Sequence, residues 1–190
     1  MQIIFILSAL LATCIAKSVP LLNLTANYGY TYAYALDLAV PAPFNTYVCI
    51  KSHGYSTVFV RGYDPTGHGR FDVNAVNNIR NANQAGLGTE VFMTPQPFSS
   101  KRGGAQFKEL FDNLRYNNIQ VRTVWLQVTS PVNWGSDAQR NINLINDIII
   151  TANSCGVVVG FYTNAYDWSQ ITRNANLEGA MLWWASIGWS

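Results

Sequence analysis

From Tyr30 onward the chain alternates short apolar segments with stretches of helix length, and this rhythm constrains the fold more than any other feature. Strands separated by helices pair in parallel, because each connection must travel back along a covering helix, and right-handed crossovers result. Apolar runs at residues 32–39, 57–63, 89–94, 121–129, 157–163 and 180–185 predict six such strands. Between them, Asp72 is placed to cap a helix carrying Val73, Val76 and Ile79 on one side, and Phe107, Leu110, Phe111 and Leu114 form a second helical stripe. Ser136 is placed to cap another, with Ile142, Ile145, Ile149 and Ala152 inward. Gly54, Gly86, Gly88 and Gly156 stand where helix gives way to strand.

A different polar residue closes each strand at its C-terminal end, which is the pattern of an α/β, TIM-like (β/α) barrel of irregular form, whose site gathers at those ends. The rival, an open doubly wound sheet, expects a glycine fingerprint after the first strand, and this chain has "VPAPFN" there. After the sixth strand the sequence stops at Ser190, so the barrel is expected to be truncated, with exposed strand edges. Residues 1–16, "MQIIFILSALLATCIA", are too short and too apolar for anything but a secretory signal or a packed helix; the small residues before Lys17 favour the signal. The expected organisation is therefore signal 1–16, leader 17–29 and one barrel domain over 30–190. No later apolar run is long enough for a membrane span.

With 12% charged residues and a net charge of +2, no clustered basic face points to nucleic acid. Cys14 leaves with the signal; Cys49 and Cys155, on helices expected to lie across the ring, are beyond disulfide reach of each other. Asn23 opens an "NLT" glycosylation pattern, with an unmodified leader the equal alternative. His53 and His68 lack ligand spacing, so neither a metal nor another cofactor is expected.

Strand parity supplies the candidate site. In the first strand Ala33, Ala35 and Asp37 share one face, which puts the Asp37 carboxylate inside at the mouth; a cap or a charge partnership with Arg61 is the structural alternative. In the fourth, Thr123, Trp125, Gln127 and Thr129 share a face, so Gln127 and Thr129 project to the same mouth. Around them come Tyr63, Gln96, Trp134, Tyr162, Asn164, Asp167, Trp168, Trp183 and Trp184. Rings beside amides and hydroxyls suit a sugar groove, since apolar sugar faces lie on rings while sugar hydroxyls need paired donors and acceptors.

Six motifs taken in order, "YALDLAVPAP", "VFVRGYDPTGHGRFD", "GLGTEVFMTPQP", "VRTVWLQVTSPVNW", "VVVGFYTNAYDWSQIT" and "AMLWWAS", resemble the nematode and amoeba branch of the glycoside hydrolase family 25 lysozymes. The resemblance implies a secreted, irregular barrel that engages bacterial peptidoglycan, cleaves its muramic acid to glucosamine linkage and serves innate defence. It assigns Asp37 to the family's first-strand Asp, and Tyr162 with Trp183 or Trp184 to its aromatic wall. The family's Asp-x-Glu pair, however, falls on Gln127-Val128-Thr129. An amide and an alcohol cannot protonate a leaving oxygen or balance a cationic sugar, and loss of general acid catalysis alone costs on the order of 10²- to 10⁴-fold. The substitution points to a glycan binder or a very weak hydrolase.

Overall fold

A computed structural model describes residues 33–177 and 180–184. The expected signal and leader, and the NLT pattern, lie outside those residues. The elements are β1 (Tyr34–Leu38), α1 (Phe44–Ser52), β2 (Tyr55–Asp64), β3 (Arg70–Phe71), α2 (Ala75–Gln84), β4 (Gly88–Met93), α3 (Gly103–Tyr116), β5 (Thr123–Gln127), a 3₁₀ turn (Pro131–Asn133), α4 (Ala138–Ser154), β6 (Val158–Thr163), α5 (Ala165–Thr172) and β7 (Leu182–Trp184). The order across the sheet is β1-β2-β4-β5-β6-β7, all parallel, as the alternating rhythm required. The two-residue β3, which folds back antiparallel on β2, is the one strand the rhythm does not predict.

Strand parity sorts the side chains onto two faces. Leu36, Leu38, Val58, Val60, Val91, Met93, Val124, Leu126 and Phe161 turn outward and join helix residues such as Tyr47, Ile79, Phe107 and Ile148 in one large core. Ala35, Phe59, Phe92, Tyr162 and Trp183 turn the other way and form a separate cluster, with Ala39 and Trp125 packed against it. The sheet must curl strongly to bring these together: Phe59 of β2 and Trp183 of β7 have three strands between them, yet their ring centres lie 4.0 Å apart. The result is a half barrel whose concave side is filled by aromatic rings.

The helices follow the expected stripes with local shifts. Phe107, Leu110, Phe111 and Leu114 are all buried on α3. On α2 the buried face is Ala75, Asn78, Ile79 and Ala82, while Val73 precedes the helix and is exposed, and Asp72 accepts the Asn74 N–H ahead of the helix start. Asp137, not Ser136, caps α4 by accepting from the Gln139 and Arg140 amides, and the inward stripe moves to Asn141, Ile145, Ile148 and Ala152. Cys155 is a free thiol and so forms no disulfide with Cys49.

Helices α3 and α4 approach closely, and the approach depends on Gly103 and Gly104. A Cβ at Gly103 would be driven into the Leu144 carbonyl oxygen, and one at Gly104 into Thr151 Oγ1, while the Gly104 N–H donates to Asp147 Oδ2 at 2.8 Å. Gly103→Ala is therefore expected to destabilise the fold by about 1–3 kcal/mol, a melting shift of roughly 2–4 °C per kcal/mol at this chain length. Thermal denaturation showing no loss would mean that the two helices are not locked at this distance.

Candidate functional site

Asp37 sits at the C-terminal end of β1 on the concave side, half-buried. Arg61, its alternative partner, is engaged elsewhere: its Nε donates to Asp72 Oδ2 at 2.8 Å and its Nη2 lies 3.5 Å from Asp64 Oδ1. Among the described residues no basic side chain forms an ion pair with Asp37. Burial accordingly raises its carboxyl above the ordinary value of 3.8, opposed by a hydrogen bond from its own backbone. Folding thus favours the protonated form, so this group's contribution is fully present below the unfolded-state value and is lost as pH rises through the raised one. Asp37→Asn should consequently raise the melting temperature near neutral pH, and the gain should vanish in acid of about pH 3, where both forms are uncharged. A gain that persists in acid would mean that packing, not charge burial, separates the two proteins.

Across the concavity, Gln127 ends β5 with its side chain half-buried, and Thr94, one residue past β4, donates its hydroxyl proton to Gln127 Oε1 at 2.6 Å. Val128 is fully buried on the helix side, so its neighbours Gln127 and Thr129 both face the mouth. Beyond them the chain turns sharply at Ser130, which adopts a left-handed φ of 57°, and its N–H donates to Asp167 Oδ2 at 3.2 Å. Tyr162, paired with Gln127 in the β5–β6 register, stacks on Trp183 with ring centres 3.9 Å apart. Its hydroxyl is pushed above the usual range by burial, then by the charges of Asp37 and Asp167.

The remaining carboxylates near the mouth are committed. Asp167 is held by Asn164, which caps α5 by accepting the Asp167 N–H and donates through Nδ2 to Asp167 Oδ2 at 2.9 Å. Asp64 accepts from the Thr66 amide and hydroxyl and from Arg70; burial pulls it upward, but these bonds and Arg61 outweigh that and hold it below the carboxylate range. Glu90, in the N-terminal half of β4, takes the Trp125 indole N–H at 3.1 Å, away from the strand ends.

Other expected lining residues occupy different places. Tyr63 is fully buried on the helix side, because a register shift at Gly62 breaks the alternation; its hydroxyl donates to Glu109 Oε2 at 3.4 Å, and Gly69 folds over its ring. A Cβ at Gly62 would lie 2.5 Å from Leu110 Cδ1, so α3 presses against the bulge. Gln96 joins two loops, donating to the Pro65 and Gly67 carbonyls and accepting from the Phe98 amide. Trp134 and Trp168 both pack into the helix-side core, the first donating to the Thr129 carbonyl at 3.1 Å and the second to the Ala175 carbonyl at 2.8 Å. Trp183 is 2% exposed, an interior ring and not an open wall. Trp184 pairs with Thr163 through its backbone, and its side chain lies outside what the structure describes. Sequence reasoning missed Thr94, although it continues the inward alternation of Glu90 and Phe92.

The structure therefore brings Asp37, Thr94, Gln127, Thr129 and Tyr162 to one mouth of a curled parallel sheet, which defines a (β/α) half barrel with a polar, nearly charge-free strand-end site. Among solved structures, a muramidase from Acremonium alcalophilum has the same fold, with a TM-score of 0.64 at 20% identity, over 81% of this chain and 77% of that one. A family model described as lysozyme-like protein 1 matches residues 28–189. Lysozyme-like protein 1 of Caenorhabditis elegans is 50% identical over 83% of this chain and 53% of its own length, and probable GH family 25 lysozyme 2 of Dictyostelium discoideum is 27% identical over 72% and 63%. The chain belongs to the lysozyme-like protein family. It spans just over half the length of lysozyme-like proteins 1, 7 and 2 of Caenorhabditis elegans.

Proposed function

We propose that this chain is a secreted lysozyme-like protein that engages bacterial peptidoglycan, or a related N-acetylated glycan, in innate defence and holds it far better than it cleaves it. The observation that carries this reading is the polarity of the mouth. One carboxylate, Asp37, with no ion-pair partner among the described residues, faces a neutral amide whose orientation is set by Thr94 and a neutral alcohol at position 129. Glycosidic cleavage near neutral pH requires a proton donor and a second group that stabilises the cationic sugar. Asp64 already accepts hydrogen bonds through both carboxylate oxygens and Asp167 accepts two through Oδ2, so recruiting either as the acid would disturb those bonds. No helix among the described residues is long and apolar enough to cross a membrane.

A second reading, slow hydrolysis with Asp37 acting alone on a substrate whose own acetamido group is the nucleophile, draws support from the burial that raises the Asp37 carboxyl above its ordinary value, the direction that favours its protonated form. One pair of measurements separates the two readings. The purified chain is mixed with insoluble peptidoglycan for a pull-down, and with bacterial walls for a turbidity assay. Retention with little clearing is the expected result; clearing as fast as an acid-bearing relative would overturn the binder.

A further inference from the structure

Resting on the glycan-binding reading, we propose that Thr94 is a positioning residue that fixes the direction of the Gln127 amide and thereby makes the mouth select N-acetylated over de-N-acetylated sugars. A primary amide offers a carbonyl acceptor at one end and two N–H donors at the other, so its orientation decides what it can recognise. The contact to Thr94 is 2.6 Å, the length of an O–H···O bond and short for N–H···O. Thr94 therefore donates, and the Gln127 carbonyl is the end it holds. The reverse orientation would leave the Thr94 proton without an acceptor, since this is the one hydrogen bond its hydroxyl makes among the described residues. Gln127 Nε2 is left with both protons and with no protein partner among the described residues, on a half-buried side chain at the strand end.

Two fixed N–H donors suit the carbonyl oxygen of an acetamido group. They oppose the ammonium of a deacetylated sugar, which has no acceptor to offer and brings a charge against the donor end of the dipole. Asp37 alone would select the other way, because a carboxylate attracts an ammonium. Tyr162 is paired in register with Gln127 across β5 and β6, so its ring stands beside the Gln127 amide on the same face of the sheet. The Gln127 orientation is what turns the balance towards the acetylated ligand.

The test is calorimetric titration of the full chain with tetra-N-acetylchitotetraose and with its fully deacetylated counterpart; neither carries the lactyl carboxylate of muramic acid, so the acetamido group is isolated. The wild type should favour the acetylated chain, and Thr94→Val should cut the ratio of the two affinities by about two- to tenfold, the worth of one hydrogen bond. Thr94→Ser, which keeps the hydroxyl, should restore it. The Gln127 side-chain amide resonances should shift on adding the acetylated ligand to the wild type and much less in Thr94→Val. An unchanged ratio in a folded Thr94→Val protein that still binds would overturn this role and leave glycan binding intact. Failure of the wild type to bind either oligosaccharide or peptidoglycan would overturn both.

Discussion

Gln127→Asp combined with Thr129→Glu should raise wall lysis by on the order of 10²- to 10⁴-fold, the contribution that a positioned general acid makes. The scaffold is already arranged for the exchange. Gln127 and Thr129 face the same mouth with Val128 locked between them by the helix-side core, and the space given up at the first position offsets much of what the second takes. Thr94, which now donates to the Gln127 carbonyl, would donate to a carboxylate oxygen at position 127 only if the shorter side chain stays within reach, so Gln127→Glu is a useful companion. Thr129→Glu alone should supply most of the gain, because it introduces a proton donor; Gln127→Asp alone should supply little. The measurement is the turbidity assay, with peptidoglycan pull-down as a control for binding. A double variant that folds, binds and clears no faster than the wild type would show that the sugar is not laid across positions 127 and 129.

Trp183→Ala carries the largest expected effect on stability, a loss of about 3–5 kcal/mol. The Trp183 ring is the centre of the concave cluster, stacked on Tyr162 at 3.9 Å and tilted against Phe59 at 4.0 Å, with Phe92 and Trp125 meeting it edge-on at 6.2 Å. Removing it leaves four other rings around a void and releases the three-residue β7 from the inner face. Since a domain's whole margin is about 5–15 kcal/mol, such a loss approaches unfolding. Trp183→Phe should cost distinctly less, as one ring still fills the space. Urea denaturation followed by near-ultraviolet dichroism measures both, and a loss under about 1 kcal/mol for the alanine variant would show that the curl does not depend on this side chain.

Parallel pairing, the order of six strands, the α3 stripe and the inward placement of Asp37, Gln127 and Thr129 were legible in the sequence, because each rests on periodicity that only local geometry sets. The same alternation failed at Tyr63, where one bulge at Gly62 sent the ring to the helix side, and register shifts of this kind are fixed by what packs against them. Composition showed that many aromatic rings stand near the strand ends; it carried no information on which of them are spent inside. That Trp183 is interior, that Trp134 anchors a loop and that Gln96 ties two loops together follow from contacts that only the folded chain makes. Likewise the identity of residues 127 and 129 settled their lack of charge, while only the tertiary structure decided that Arg61 turns to Asp72 and away from Asp37, and that Thr94 holds the neighbouring amide. The division has a simple physical cause. Side-chain chemistry and strand period belong to the chain itself, whereas pairing, burial and the direction of a hydrogen bond are properties of the space between segments.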